Sequence, residues 1–188
     1  MNKFYEKSAL IPNLILIHFL NKYDGKIIDK KAYDLGSGNG NDALYLLKNN
    51  WDVIGVDKNN ESRYFIERNI PNKYELKFKF EHSDIKDLSW QNISLINACF
   101  VFPFMKKTCF YLIWSPMCKV LKTDSFFVGN FLGLNDDWKH VNLFSENEIK
   151  NLFYNFNILH FKEYENDSVT IEQRLKHWHV YEIIAQKI

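Results

Sequence analysis

The segment Asp34-Leu-Gly36-Ser-Gly38-Asn-Gly40 carries the densest chemical information in this 188-residue chain. Glycine at every second position lets a backbone turn sharply and press bare main chain against a ligand. A second acid, Asp57, follows Asp34 after 23 residues, and a third, Asp84, comes later again. A carboxylate placed like Asp57 suits a pair of ribose hydroxyls, each donating to it. Asp84 could accept from an adenine amino group while Ile85 packs on the ring. A cap or a solvated turn is the plainer account of any one such acid. Three of them around one glycine loop are harder to obtain by accident.

The spacing also bears on which ligand. It reads G-x-G-x-G, and Asn41 stands where a dinucleotide fingerprint would have its third glycine. Asp34 beside a helix N-terminus would repel a pyrophosphate, whereas an ammonium and a sulfonium would tolerate or favour it. S-adenosylmethionine is such a ligand and has no phosphate. Asp57 does not choose between cofactors, because NAD-binding folds use an acid in the same place. Asn41 and Asp34 disfavour an NAD-dependent oxidoreductase.

The elements that must hold these residues alternate along the chain. Residues 31–35 read as a strand running into the glycine loop, and 41–50 as a helix with asparagines at both ends, where caps are favoured. Residues 52–56 form the next strand, ending at Asp57, and 60–70 a helix that Pro71 stops. Further strands are expected at 75–81, 93–100 and 125–132, with a helix at 104–121 interrupted near Pro116. Ser145 and Glu148 have capping-box spacing and open a helix to about Tyr154. Residues 156–163 and 178–187 are the last strands, joined by a polar connection over 165–176. Strand and helix in alternation give an α/β fold, a doubly wound parallel sheet with helices on both faces. The last two strands, lacking a helix between them, form an antiparallel hairpin at one edge. The whole chain, 1–188, is expected to be one domain, with residues 1–30 as an N-terminal helical cap.

Composition fits a folded domain, with 46% hydrophobic, 16% aromatic and 25% charged residues. A net charge of +1 removes the electrostatic footprint of a general nucleic-acid binder. Lysine outnumbers arginine 21 to 3, against what a phosphate-reading surface would favour. Cys99, Cys109 and Cys118 form no C-x-x-C pair, and an odd number suits reduced thiols in the cytoplasm. The apolar run over 8–20 contains Pro12, Asn13 and His18, lacks a cleavage site, and is too short to span a bilayer. A buried N-terminal helix is expected there, and no membrane partner.

The stretch AYDLGSGNGNDALYLLKNNWDVIGVDKN, residues 32–59, resembles the nucleotide-binding core of class I S-adenosylmethionine-dependent methyltransferases. The nearest flavour is the small bacterial tellurite-resistance and thiopurine methyltransferase-like group. Weaker agreement at Ser83-Asp84-Ile85 and in the strands over 93–100 and 126–130 extends the resemblance over most of the chain. It implies a Rossmann-like seven-stranded sheet of order 3-2-1-4-5-7-6 with the last strand antiparallel. It places Asp34, Gly36, Ser37 and Gly38 around the methionine part of the cofactor, with Asp57 on the ribose. Lys58 falls at the adenine edge, Asp84 and Ile85 on adenine, and Cys99 to Phe102, Phe100 included, toward the sulfonium and the acceptor. Ser37 stands where cysteine or alanine is frequent, a small residue that leaves binding intact.

Methyl transfer from a sulfonium needs orientation and dryness more than an acid or base. His177 and His179 share a face of the last strand and could serve as base or substrate contact, although a packing or surface role is the plainer account. No third ligand beside them suggests a metal. Asp136 and Trp138 follow the fifth strand, where the tryptophan could wall a pocket and the acid orient a substrate; Phe102 and Phe104 could help close it. Phe100-Val-Phe-Pro103-Phe104 lacks the Asn/Asp-Pro-Pro run of amino-methylating nucleic-acid enzymes. A small-molecule acceptor is therefore expected, a thiol or chalcogen compound by the group resembled, handled by a monomer or homodimer. An RNA- or protein-directed methyltransferase and a non-catalytic cofactor-binding module stay open as alternatives.

Overall fold

A computed structural model describes residues 11–188; residues 8–10 of the expected N-terminal helix, and the first ten of the cap segment, lie outside them. Helix α1 (Leu14–Tyr23) leads into strand β1 (Lys31–Leu35), helix α2 (Asn41–Lys48), strand β2 (Asp52–Asp57) and helix α3 (Asn60–Asn69). Strands β3 (Phe78–His82) and β4 (Ile93–Ala98), helix α4 (Lys107–Lys119) and strand β5 (Leu121–Gly133) follow. The two-residue strand β6 (Leu143–Phe144), helix α5 (Glu146–Leu152) and strands β7 (Phe156–Val169) and β8 (Leu175–Lys187) complete the chain.

The sheet order is β3-β2-β1-β4-β5-β8-β7, with β6 pairing β5. This is the expected seven-strand order with one short strand added. Strands β1 to β5 pair in parallel, and β8 runs antiparallel to both β5 and β7. Strand order reverses between β1 and β4, which opens the crevice where ligands of doubly wound sheets sit.

Both faces of the sheet are covered, and β5 shows how. Phe126 and Val128 join the core under α1 and α2, while Phe127 and Phe131 join the opposite core under α4 and α5. Alternate residues of a strand point to opposite faces, so its unbroken apolar run fills two cores at once. Ser145 caps α5 with its side chain accepting from Glu148 N–H, and Glu148 accepts in return from Ser145 N–H at 2.8 Å.

Three local expectations are corrected. The N-cap of α2 is Gly40, at φ 82°, and not an asparagine side chain, whereas its C-cap is Asn49. Strand β3 starts at Phe78, because residues 72–74 form a 3-10 turn after Pro71. The polar stretch over 165–176 is mostly strand, with Thr170 and Arg174 bonding across a tight turn. Cross-strand pairing of polar side chains, invisible to hydrophobic periodicity, holds that extension.

Candidate functional site

Strand β1 ends at Leu35, and Gly36, Gly38 and Gly40 then all take positive φ, at 64°, 53° and 82°. A Cβ on Gly36 would meet Val101 Cγ2 at 2.8 Å, so any other residue would have to push the Val101 side chain aside as well as adopt a positive φ. The loop opens a cavity of 590 Å³ at the crevice between β1 and β4. That volume lies inside the range of about 300–1,000 Å³ usual for small-molecule and cofactor sites.

All ten residues expected at the cofactor come together on its wall: Asp34, Gly36, Ser37, Gly38, Asp57, Lys58, Asp84, Ile85, Cys99 and Phe100. Asp57 is fixed by two backbone donors, Gly38 N–H at 2.9 Å and Asn59 N–H at 2.8 Å. One acid thus clamps the glycine loop to the tip of β2, with lone pairs to spare for a ligand. Asp84 accepts from Lys86 N–H at 3.2 Å, capping a 3-10 turn that sets Ile85 in the wall. Phe100 sits at φ 54°, a strained conformation for an aromatic residue. Its N–H donates to Asn130 Oδ1 at 2.6 Å, which holds it there.

Asp42, in the first turn of α2, belongs to the site and escaped the sequence reading. It is buried beside Asp34, and Asn97 donates to both acids, at 2.7 Å to Asp34 and 3.0 Å to Asp42. Asn13, capping α1, donates its backbone and side-chain N–H groups to Asp42, each at 2.8 Å. The one available signal was an acid in the turn after a glycine loop, indistinguishable in sequence from a favourable helix-dipole charge.

Among the described residues, two buried polar atoms on the cavity wall have no partner, Asp34 Oδ2 and Ser37 Oγ. Burial, and then the charge of Asp42, hold the Asp34 carboxyl well above the usual carboxylate range, against the pull of Asn97. Such an acid gains most from a cation. The donor set therefore fits an adenosyl ligand with an amino-acid tail: an ammonium at Asp34, ribose hydroxyls at Asp57, a flat ring against Ile85. Cys99 donates to Asn97 Oδ1 at 3.4 Å, and burial with nearby acids keeps its thiol protonated.

The residues expected to act on a substrate are placed differently, and that reading is corrected. Phe102 is wholly buried among Phe110, Phe127 and Phe131, a core residue and not a pocket wall. Asp136 is wholly buried too, and its carboxylate is spent on Lys176 Nζ at 2.5 Å and on the N–H groups of Trp138 and His179. Trp138 stands one ring behind the cavity, against Phe104, which lines it. Lys176 lies between Trp138 and Trp178, 4.5 and 3.6 Å from their centroids.

His177 and His179 do share a face, but both are outside the cavity lining and their nitrogens are engaged. His177 meets Asp167 at 2.7 Å and Glu165 at 3.0 Å, and these bonds raise its pKa above 6.5. Asn135 N–H donates to His179 Nδ1 at 3.1 Å, so the proton sits on Nε2 and is donated to Glu163 at 2.8 Å. Glu163, Glu165 and His179 form a cluster of metal-ligand type, yet that tautomer leaves the ring no lone pair for a cation.

The sequence model of the family described as tellurite resistance protein TehB matches residues 12–173. No curated protein matches the chain. Among solved structures, TehB from Haemophilus influenzae superposes with a TM-score of 0.75 at 21% identity, over 91% of this chain and 66% of that one. The chain thus spans just under two thirds of that relative. A methyltransferase from Methanosarcina mazei, described as S-adenosylmethionine-dependent, gives 0.70 at 18% identity, over 95% of this chain and 99% of that one. The N-methyltransferase NodS from Bradyrhizobium japonicum, solved with S-adenosylhomocysteine, gives 0.68 at 12%, over 92% and 85%. Family match, strand order and glycine-loop crevice agree: the chain belongs to the family described as tellurite resistance protein TehB, and it shares the fold of the methyltransferases it superposes on.

Proposed function

We propose that this chain binds S-adenosylmethionine in the 590 Å³ cavity and methylates a small-molecule acceptor carrying a thiol or a chalcogen. The observation that carries the reading is the unpartnered Asp34 Oδ2, a buried carboxylate oxygen at the mouth of a glycine loop. S-adenosylmethionine supplies a methyl group already activated on a sulfonium. The chain's own work is to hold and to dry. Asp34 offers the charge that an ammonium requires, and Asp57 offers two oxygens at the tip of β2. Gly36 and Gly38 let main chain close on the amino-acid tail. Phe100, Phe104 and Met105 exclude water on the acceptor side. Holding two reactants aligned in this way is worth up to roughly 7–11 kcal/mol. No side chain has to take a proton unless the acceptor arrives protonated.

The same reading has a monomer or homodimer in the cytoplasm, where three unpaired cysteines are at home. No helix among the described residues is long and apolar enough to cross a membrane. Calorimetric titration with S-adenosylhomocysteine is the test. Saturable binding is expected, and Asp57→Ala should weaken it about 100-fold through two lost charge-assisted hydrogen bonds. Binding of NADH with none of S-adenosylhomocysteine overturns the reading.

A further inference from the structure

Two phenylalanines wall the cavity on the acceptor side, and each is held in the same way. Phe100 has its backbone fixed by Asn130, whose side-chain oxygen accepts its N–H at 2.6 Å. Its ring meets Trp178 edge-on, with centroids 6.0 Å apart. Phe104 lies in the 3-10 turn that follows. Asn142 fixes that turn: its backbone N–H donates to the Pro103 carbonyl at 2.9 Å, and its side chain to those of Phe102 and Met105 at 3.2 and 2.6 Å. The Phe104 ring meets Trp138 at 5.7 Å. Each wall thus has an asparagine on its backbone and a tryptophan on its ring.

One cation joins the two tryptophans. Their rings lie 5.2 Å apart, and the Lys176 ammonium sits over both, 4.5 Å from Trp138 and 3.6 Å from Trp178. The lysine side chain is 2% exposed, and a desolvated ammonium grips an indole more strongly than an exposed one. Asp136 Oδ2 accepts from it at 2.5 Å and the His177 carbonyl at 3.3 Å. Asp136 itself is held by the N–H groups of Trp138 and His179. The loop after β5 and strand β8 are therefore pinned together at this charge. Among the described residues, Asp136, Trp138, Lys176 and Trp178 all stand outside the cavity lining, whereas Phe100 and Phe104 are part of it.

Aromatic pairs keep preferred tilts and separations, so a fixed indole fixes the ring in front of it. Phe104 is half exposed and, unsupported, would exchange among rotamers. Phe100 holds a strained φ of 54°, which persists only where the surroundings over-determine it. Methyl transfer depends on how an acceptor is aligned with the sulfonium, and these two walls border the space an acceptor has to enter.

We propose that Lys176 is a positioning residue for the transfer: held by Asp136, it braces Trp138 and Trp178, and through them sets the gap between Phe104 and Phe100 in which the acceptor is aligned. This inference rests on the methyltransferase reading. The first test is NMR of the full chain with S-adenosylhomocysteine added. In folded Lys176→Met the Phe100 and Phe104 ring signals should both shift, although the substitution leaves both indoles in place. The second test uses Trp178→Leu, which removes a half-buried ring and spares the ion pair. Labelled methyl transfer is followed to benzenethiol, 2-mercaptoethanol and selenite. Its kcat should fall by up to about 100-fold, the cost of a misplacement of about 1 Å. Calorimetric affinity for S-adenosylhomocysteine should stay unchanged, and Trp178→Phe should recover most of the lost kcat. Unmoved phenylalanine signals in Lys176→Met, an unchanged kcat in Trp178→Leu, or a loss that Trp178→Phe does not repair overturns the brace. Absence of S-adenosylhomocysteine binding, or of transfer to all three acceptors, sinks the methyltransferase reading instead. The ring signals report the brace in either case, so the two failures are told apart.

Discussion

The parallel half of the sheet and the β7–β8 hairpin both concentrate charged and polar side chains, yet they use them in opposite ways. On the outer half of the hairpin and the loop after β5 that packs on it, the groups the sequence singled out are answered by neighbours. His177 holds two acids, His179 accepts from Asn135 and donates to Glu163, and Asp136 closes on Lys176. At the glycine loop the bonding stops short, leaving Asp34 Oδ2 and Ser37 Oγ without partners beside a second buried acid. Histidines and aspartates draw the eye in sequence wherever they occur. What separates a ligand site from a scaffold is whether the fold has already satisfied them.

The largest effect that would break this contrast is on the hairpin side. Lys176→Met leaves Asp136 buried without its cation and should cost about 3–5 kcal/mol in denaturant unfolding. The folded fraction should keep its affinity for S-adenosylhomocysteine. An unchanged midpoint would mean that the ion pair does not hold the loop after β5. Next comes Asp34→Asn, with opposite signs for binding and stability. Affinity for S-adenosylhomocysteine should fall about tenfold or more. The unliganded protein should gain about 1.4 kcal/mol for each unit by which folding raises the Asp34 pKa.

The third effect is the pH dependence of that gain. Folding raises this carboxyl above 3.8, so the native state holds its proton more tightly than the unfolded chain. Its contribution to stability is therefore lost as pH rises from that value through the folded one. Denaturant midpoints of the wild type and Asp34→Asn should diverge across that window. Ligand affinity should climb over the same interval, since an ammonium needs the carboxylate charged. The smallest effect belongs to His177→Gln, on an exposed ladder. The contribution of His177 is present below 6.5 and lost as pH rises through its raised folded value. Midpoints of wild type and variant should accordingly converge at alkaline pH, and a constant gap between them would remove the charge from the explanation.

Legibility in the sequence followed the same divide. The glycine loop, Asp57 and Asp84 were readable because strand, turn and acid are consecutive, and each strand tip delivers its acid to the same sheet edge. The order of the sheet came from the resemblance, and β6, two residues long, left no periodicity to find. Phe102 and Phe104 sit two apart in one aromatic run, yet one is wholly buried and the other half exposed. Local pattern cannot separate them, because a 3-10 turn intervenes. Asp136 and Lys176 are 40 residues apart, and their pairing decides the fate of both. The cavity that Leu14, Ile15 and His18 of α1 line together with His160 and Glu182 of the hairpin depends on α1 meeting strands from the far end of the chain, a contact without local signature.

Asp42 ties Asn13, and with it the start of α1, to the pair of acids under the glycine loop. Docking of the N-terminal helix and occupancy of the crevice thereby share one charge balance. A cation resting on Asp34 quiets the repulsion that Asp42 feels, and the clasp on Asn13 tightens. Amide exchange along residues 14–23 should slow when S-adenosylhomocysteine is added, although none of those residues lines the crevice.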